Sequence, residues 1–197
     1  MKLWKKQSQL EEKQRKKCIK NLLLIGVIQI GNDGRKFEED MVKSAKAQNL
    51  FSLRIKDVNV PPHLRMKVKI SKNPYDFLLY NKPFLFPMEL KSTKEKSFSY
   101  EGTNPKIKPH QIEALENDSK HDGVIAGFLL NFREPENLVY FLHINDFNLY
   151  RNSNPKKKSI PIKSVQELGF ELRGVKKRTR YTYLIKELLD KLIKIYQ

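Results

Sequence analysis

Asp76, Glu89 and Lys91 are the residues of this sequence whose types and spacing could do chemistry. Asp76 opens an apolar run, Phe77-Leu78-Leu79-Tyr80, and Asn81-Lys82-Pro83 break it in a way that suits a tight turn. A second apolar run starts at Phe84 and ends in Glu89-Leu90-Lys91. Side chains alternate along a strand, so Glu89 and Lys91 share one face and Leu90 takes the other. If the runs pair as a hairpin, Asp76 lies across from the end of the second strand. Two carboxylates and an ammonium then converge. Mg²⁺ takes one or two carboxylates and completes its shell with water and substrate phosphate. A lysine beside it can orient or deprotonate a water and offset developing negative charge. Asp76 and Glu89 are thus the expected metal ligands of a phosphodiester hydrolase, with Lys91 beside them. A plain hairpin with solvated charges has the same spacing. The apolar surroundings argue against it, because an unpartnered carboxylate there is costly.

Other elements must position these groups. Residues 34–49 read as a helix, with Asp33 as a possible N-cap and acids in the first turn that suit its dipole. Phe37, Met41 and Ala45 recur every fourth residue and should face the core. Glu38 flanks that stripe and reaches the metal region if the helix packs on the sheet. Glu39 and Asp40 read as dipole compensation. Phe51 to Ile55 alternates as a half-buried strand. Leu64 to Ile70 alternates strictly and sets Arg65, Lys67 and Lys69 on one face, a phosphate track or a solvated edge strand. Residues 92–97 read as a polar loop whose Lys94 and Lys96 lie next to the site. A helix should begin at Pro109, with His110 and Gln111 in its first turn and Ile112 and Leu115 inward. At that helix end Gln111 could meet phosphate or a metal-bound water; plain surface or capping would explain it as well.

Gly123 to Leu130 and Leu138 to Ile144 read as strands buried on both faces. Short helical turns are expected at 145–151 and 164–168. Residues 174–181 hold the densest basic cluster, with Lys176, Lys177, Arg178 and Arg180 as expected phosphate contacts. An amphipathic helix should follow from Tyr183, with Leu184, Ile185, Leu188, Leu189, Leu192 and Ile193 as its stripe. Helices and strands alternate, which predicts an α/β domain with a mixed central sheet flanked by helices.

Composition points to the partner. The 197 residues suit one domain, and 39 basic residues against 22 acidic give a net charge of +17. Such an excess favours nucleic acid first and an anionic membrane second. Cys18 is the sole cysteine, so an internal disulfide and a four-cysteine metal site are excluded, and a reducing cytoplasm is expected. The histidines at 63, 110, 121 and 143 lack zinc-ligand spacing. Residues 1–33 read as a basic arm and an apolar linker, and 34–197 as the domain proper. The apolar run Leu22 to Ile30 is too short to span a bilayer.

The spacing of Asp76 and Glu89-Leu90-Lys91 resembles the motif of the PD-(D/E)xK nuclease superfamily, whose core is that of restriction endonucleases. Within it the chain resembles the RecU family of Holliday junction resolvases over about residues 34–197. The likeness runs through Gly34-Arg35…Glu38-Glu39-Asp40, Asp76, Glu89-Leu90-Lys91, His110-Gln111-Ile112-Glu113, Asp122-Gly123-Val124, Lys158-Ser159-Ile160 and Arg180-Tyr181. It implies a homodimer that cuts four-way DNA junctions in recombination and repair, with Mg²⁺ or Mn²⁺ at Asp76 and Glu89. It makes Lys91 the activating residue and Glu38 and Gln111 further catalytic positions. Arg35 belongs to the matching helix opening and is expected among the DNA contacts. Pro74 stands two residues before Asp76 rather than beside it, and the stretch between Lys56 and Asp76 is shorter than the stalk of that family. A restriction-type or phage DNA-processing nuclease would carry the same core. A non-catalytic basic nucleic-acid-binding protein would carry the same charge.

Overall fold

A computed structural model describes residues 34–56, 61, 63 and 73–196. The chain divides into two units, Met1–Lys36 and Phe37–Gln197, and the second holds every described strand and helix apart from helical residues 34–36. The alternating strand expected at Leu64 to Ile70, with Arg65, Lys67 and Lys69, lies outside the described residues, as do the arm and apolar linker of residues 1–33.

The expected α/β architecture with a mixed sheet is what the chain forms. In order come α1 (residues 34–47), β1 (Phe51–Arg54), β2 (Phe77–Asn81), β3 (Phe84–Thr93), β4 (Ser97–Ser99) and α2 (Pro109–Asp118). Then follow β5 (Gly127–Phe132), β6 (Leu138–His143), α3 (Ile144–Ser153), β7 (Ser159–Pro161), α4 (Ile162–Leu168), β8 (Phe170–Glu171), β9 (Gly174–Lys177), β10 (Arg180–Tyr183) and α5 (Ile185–Tyr196). The central sheet has six strands in the order β1-β2-β3-β5-β6-β8. Its pairings are antiparallel except β3 with β5.

Each face of the sheet buries a separate core. Phe77, Leu79, Phe86, Met88, Leu90 and Leu129 pack with Phe37, Met41 and Ala45 of α1 and Leu188, Leu189 and Leu192 of α5. Phe128, Leu130, Phe132 and Leu142 pack with Ile112 and Leu115 of α2, Phe147 of α3 and Val165 of α4. Strand β5 is buried along its whole length, as a strand covered on both sides must be. It begins at Gly127, later than the apolar run suggests, and there a side chain would strike the Phe141 ring at 2.7 Å.

Several expectations need correction. The polar stretch 92–97 is not all loop: β3 runs on to Thr93 and Ser97 opens β4, which pairs with β7. The basic cluster at 174–181 is a hairpin, β9 with β10, turning at Arg178 with φ 38°. Tyr183 belongs to its second strand, so α5 starts at Ile185 and Leu184 stays exposed.

Asp40 also has another role than dipole compensation. It is 5% exposed and accepts from Arg180 Nε at 2.6 Å and Tyr181 N at 3.2 Å. One turn on, Ser44 Oγ accepts from Tyr183 N at 2.9 Å. A further turn on, Gln48 Oε1 accepts from Lys186 N at 2.9 Å and its Nε2 donates to Tyr183 O at 2.7 Å. Residues at i, i+4 and i+8 share one helix face. Here that face meets Tyr181 N, Tyr183 N and Tyr183 O along the free edge of β10, and Lys186 N at the start of α5. Replacing Asp40 with alanine removes the buried partner of the Arg180 guanidinium and leaves the Tyr181 N–H without its acceptor, a loss of about 2–4 kcal/mol. Thermal denaturation of Asp40→Ala should show Tm lowered by roughly 5–12 °C, with the folded circular dichroism spectrum retained.

Candidate active site

The β2–β3 hairpin forms as the spacing suggested, closed by Lys82 and Pro83. Phe77 pairs with Met88, which leaves Asp76 just beyond the end of β2 and level with Glu89. Asp76 is fixed there from two sides. Its Oδ2 accepts from Leu90 N at 3.1 Å, and its carbonyl accepts from Ile55 N at 2.9 Å. Glu89 and Lys91 share a face, as period-two alternation requires, and Lys91 Nζ lies 2.5 Å from Glu89 Oε1.

Glu89 is 1% exposed. Its strand is interior, paired antiparallel with β2 on one side and parallel with β5 on the other. Helix α2 covers it through Gln111, whose Nε2 donates to the same Oε1. The Gln111 amide is pinned at its other end, where Oε1 accepts from Lys108 N at 3.0 Å at the start of α2. Both options raised for Gln111 by the sequence meet in this geometry: it caps its helix and touches the site.

The second oxygen of Glu89, Oε2, is buried with no hydrogen-bond partner. Burial pushes the Glu89 carboxyl up to about 8; Lys91 opposes this, and the neighbouring Asp76 adds to it. A buried carboxylate oxygen without a donor, beside a second carboxylate, is a site for a cation. Asp76 and Glu89 therefore fit a hard divalent ion that completes its shell with water and phosphate. Among the described residues no three acids or histidines stand close enough together to form a larger ligand set.

Glu38 of α1 approaches this centre closely enough for Asp76 and Lys91 to act on its carboxyl, which burial raises above the ordinary range. Its direct partner is Arg54 at the end of β1. Arg54 is the residue sequence reasoning missed. Its only signal was position: the last cation of a strand that ends beside Asp76. His110 lies half-exposed in the first turn of α2.

The expected DNA contacts fall into groups. Lys176, Lys177 and Arg178 are all exposed on the β9–β10 hairpin. Arg180, on the same hairpin, is committed to Asp40 and to Glu39 Oε2 at 3.1 Å. Lys94 and Lys96 are exposed just after β3, and Lys94 lies 3.5 Å from Glu134. Arg35 is exposed and belongs to the first unit.

The sequence model of the recombination protein U family, RecU, matches residues 67–187. The SPbeta prophage-derived uncharacterized protein YotM of Bacillus subtilis (strain 168) is 47% identical over 174 residues, 83% of this chain and 88% of that protein. The structure of Hjc, a Holliday junction resolvase from Archaeoglobus fulgidus, aligns with a TM-score of 0.47 at 18% identity, over 70% of this chain and 94% of that one. By the extent of the family match, the chain belongs to the RecU family of Holliday junction resolving nucleases.

Proposed function

We propose that this protein is an endonuclease that resolves four-way DNA junctions by nicking paired strands, with a divalent cation held by Asp76 and Glu89. One observation carries the reading: Glu89 Oε2, buried and unpartnered, stands beside the Asp76 carboxylate and the Lys91 ammonium. A bound Mg²⁺ or Mn²⁺ would polarise the scissile phosphate and make a water acidic enough to attack near neutral pH. The chain's own residues do the rest. Asp76, tied to Leu90 N, keeps its carboxylate aimed at the end of β3. Lys91 places an ammonium where negative charge develops on the phosphoryl oxygens, or takes the proton of the attacking water. Gln111 holds Glu89 in one orientation by its amide. The exposed basic hairpin supplies backbone phosphate contacts, which position DNA without reading its sequence. Two copies of the chain, each cutting one strand, would give symmetric nicks, so we assign a homodimer acting in the cytoplasm on recombination intermediates.

The likeness to a prophage-derived protein favours phage or mobile-element DNA as the setting. A restriction-type activity on linear duplex would use the same hairpin. Side-by-side digestion of a synthetic four-way junction and its linear arms separates the two.

Asp76→Asn and Lys91→Ala should each lower junction cleavage by about a thousandfold or more while leaving junction binding intact in gel-shift assays. Wild-type cutting by either variant would refute the site.

Glu89 also gives a stability prediction. Its folded pKa lies above the unfolded value of 4.5, at about 8. Its favourable contribution is complete below pH 4.5 and is lost as pH rises to about 8. Glu89→Gln removes that loss. At pH 8, in the presence of chelator, its Tm should exceed wild type by roughly 3–8 °C, and cleavage should be absent.

Changing Lys176, Lys177 and Arg178 together to alanine should weaken junction binding. The slope of log K against log salt should fall by about 2–3. The single-turnover cleavage rate at saturating protein should change little.

A further inference from the structure

Arg54 has no part in the chemistry derived above, yet it stands at the site. It ends β1, opposite Phe77. The next backbone bond, Ile55 N to Asp76 O, ties that strand end directly to Asp76. Its guanidinium donates to Glu38 Oε2, and the two side chains are 25% and 24% exposed. Arg54 Nε is buried without a partner. Partners in an antiparallel register share a sheet face, so Arg54 projects on the face of Phe77, toward α1. Glu89 and Lys91 project on the other face, with Phe128 and Leu130. Glu38 is near enough to sense Asp76, but its carboxylate is turned to Arg54.

We propose that Arg54 is a positioning residue that competes with a divalent cation for Glu38, and so limits the metal centre to the two ligands Asp76 and Glu89. This rests on the metal-dependent reading above. A largely buried guanidinium–carboxylate pair is hard to break, and removing its cation leaves an uncompensated carboxylate. Lys91 would then be the cation left acting on Glu38, and a divalent ion would compensate Glu38 and Asp76 together. The arginine thus acts through Glu38 and sets how strongly, and how many times, the site takes metal.

Calorimetric titration of Mn²⁺ into the full chain without DNA tests this apart from activity. Wild type should bind a single ion. Arg54→Gln should bind at least about tenfold tighter or gain a second ion. Arg54→Lys, which keeps the charge, should stay near wild type. The double variant Glu38→Gln with Arg54→Gln should return to wild-type affinity, which a merely structural role for Arg54 would not produce. Glu38→Gln alone should leave affinity within about twofold, and this arm holds even if Arg54→Gln does not fold. Equal or weaker binding by folded Arg54→Gln, or a large loss of affinity in Glu38→Gln, overturns the proposal. Absence of Mn²⁺ binding in wild type overturns the metal-dependent reading itself, and this inference with it.

Discussion

The structure turns on a carboxyl group that is almost wholly buried. Glu89 sits on an interior strand, roofed by a helix, with one oxygen held by an ammonium and an amide and the other left without a donor. A protein selected for stability alone would put a neutral residue there. The sheet tolerates the cost because two cores, one on each face, fix β3 in place. Glu89 and Asp76 are held level with each other by contacts from Gln111, Lys91 and the Leu90 N–H.

The site draws on four elements, each bringing one kind of restraint. Strand β3 sets the spacing of Glu89 and Lys91 through its pleat. The β2–β3 register delivers Asp76 level with them. Helix α2 presents Gln111 from its first turn, its amide locked by the Lys108 N–H. The end of β1 brings Arg54, and with it the first helix through Glu38. The two cores keep the chemistry apart: Glu89 and Lys91 belong to the α2 face, Arg54 and Glu38 to the α1 face, and Asp76 stands where the strand end lets both meet it.

Much of this could be read from residues in order. The hairpin was legible because two apolar runs flank a proline turn, and period-two alternation then fixes which side chains share a face. Buried strands β5 and β6 were legible as continuous apolar runs. What stayed hidden depends on long-range pairing. Strands β4 and β7 are three residues each and carry no periodic signal, so only their mutual pairing defines them. The β9–β10 hairpin was masked by its lysines, which read as charge rather than as strand. The role of Asp40 was hidden because its partners lie about 140 residues further on. Arg54 escaped for the same reason, since nothing within β1 announces that its strand end abuts Asp76.

The polar face of α1 has one more consequence. An edge strand normally offers a row of unmet N–H and C=O groups to any extended chain that comes near, and so invites aggregation. Asp40, Ser44 and Gln48 answer those groups on β10 with side chains from a helix, which cannot pass the pairing on to another strand. The β10 side of this cationic hairpin is therefore closed to any strand that comes beside it.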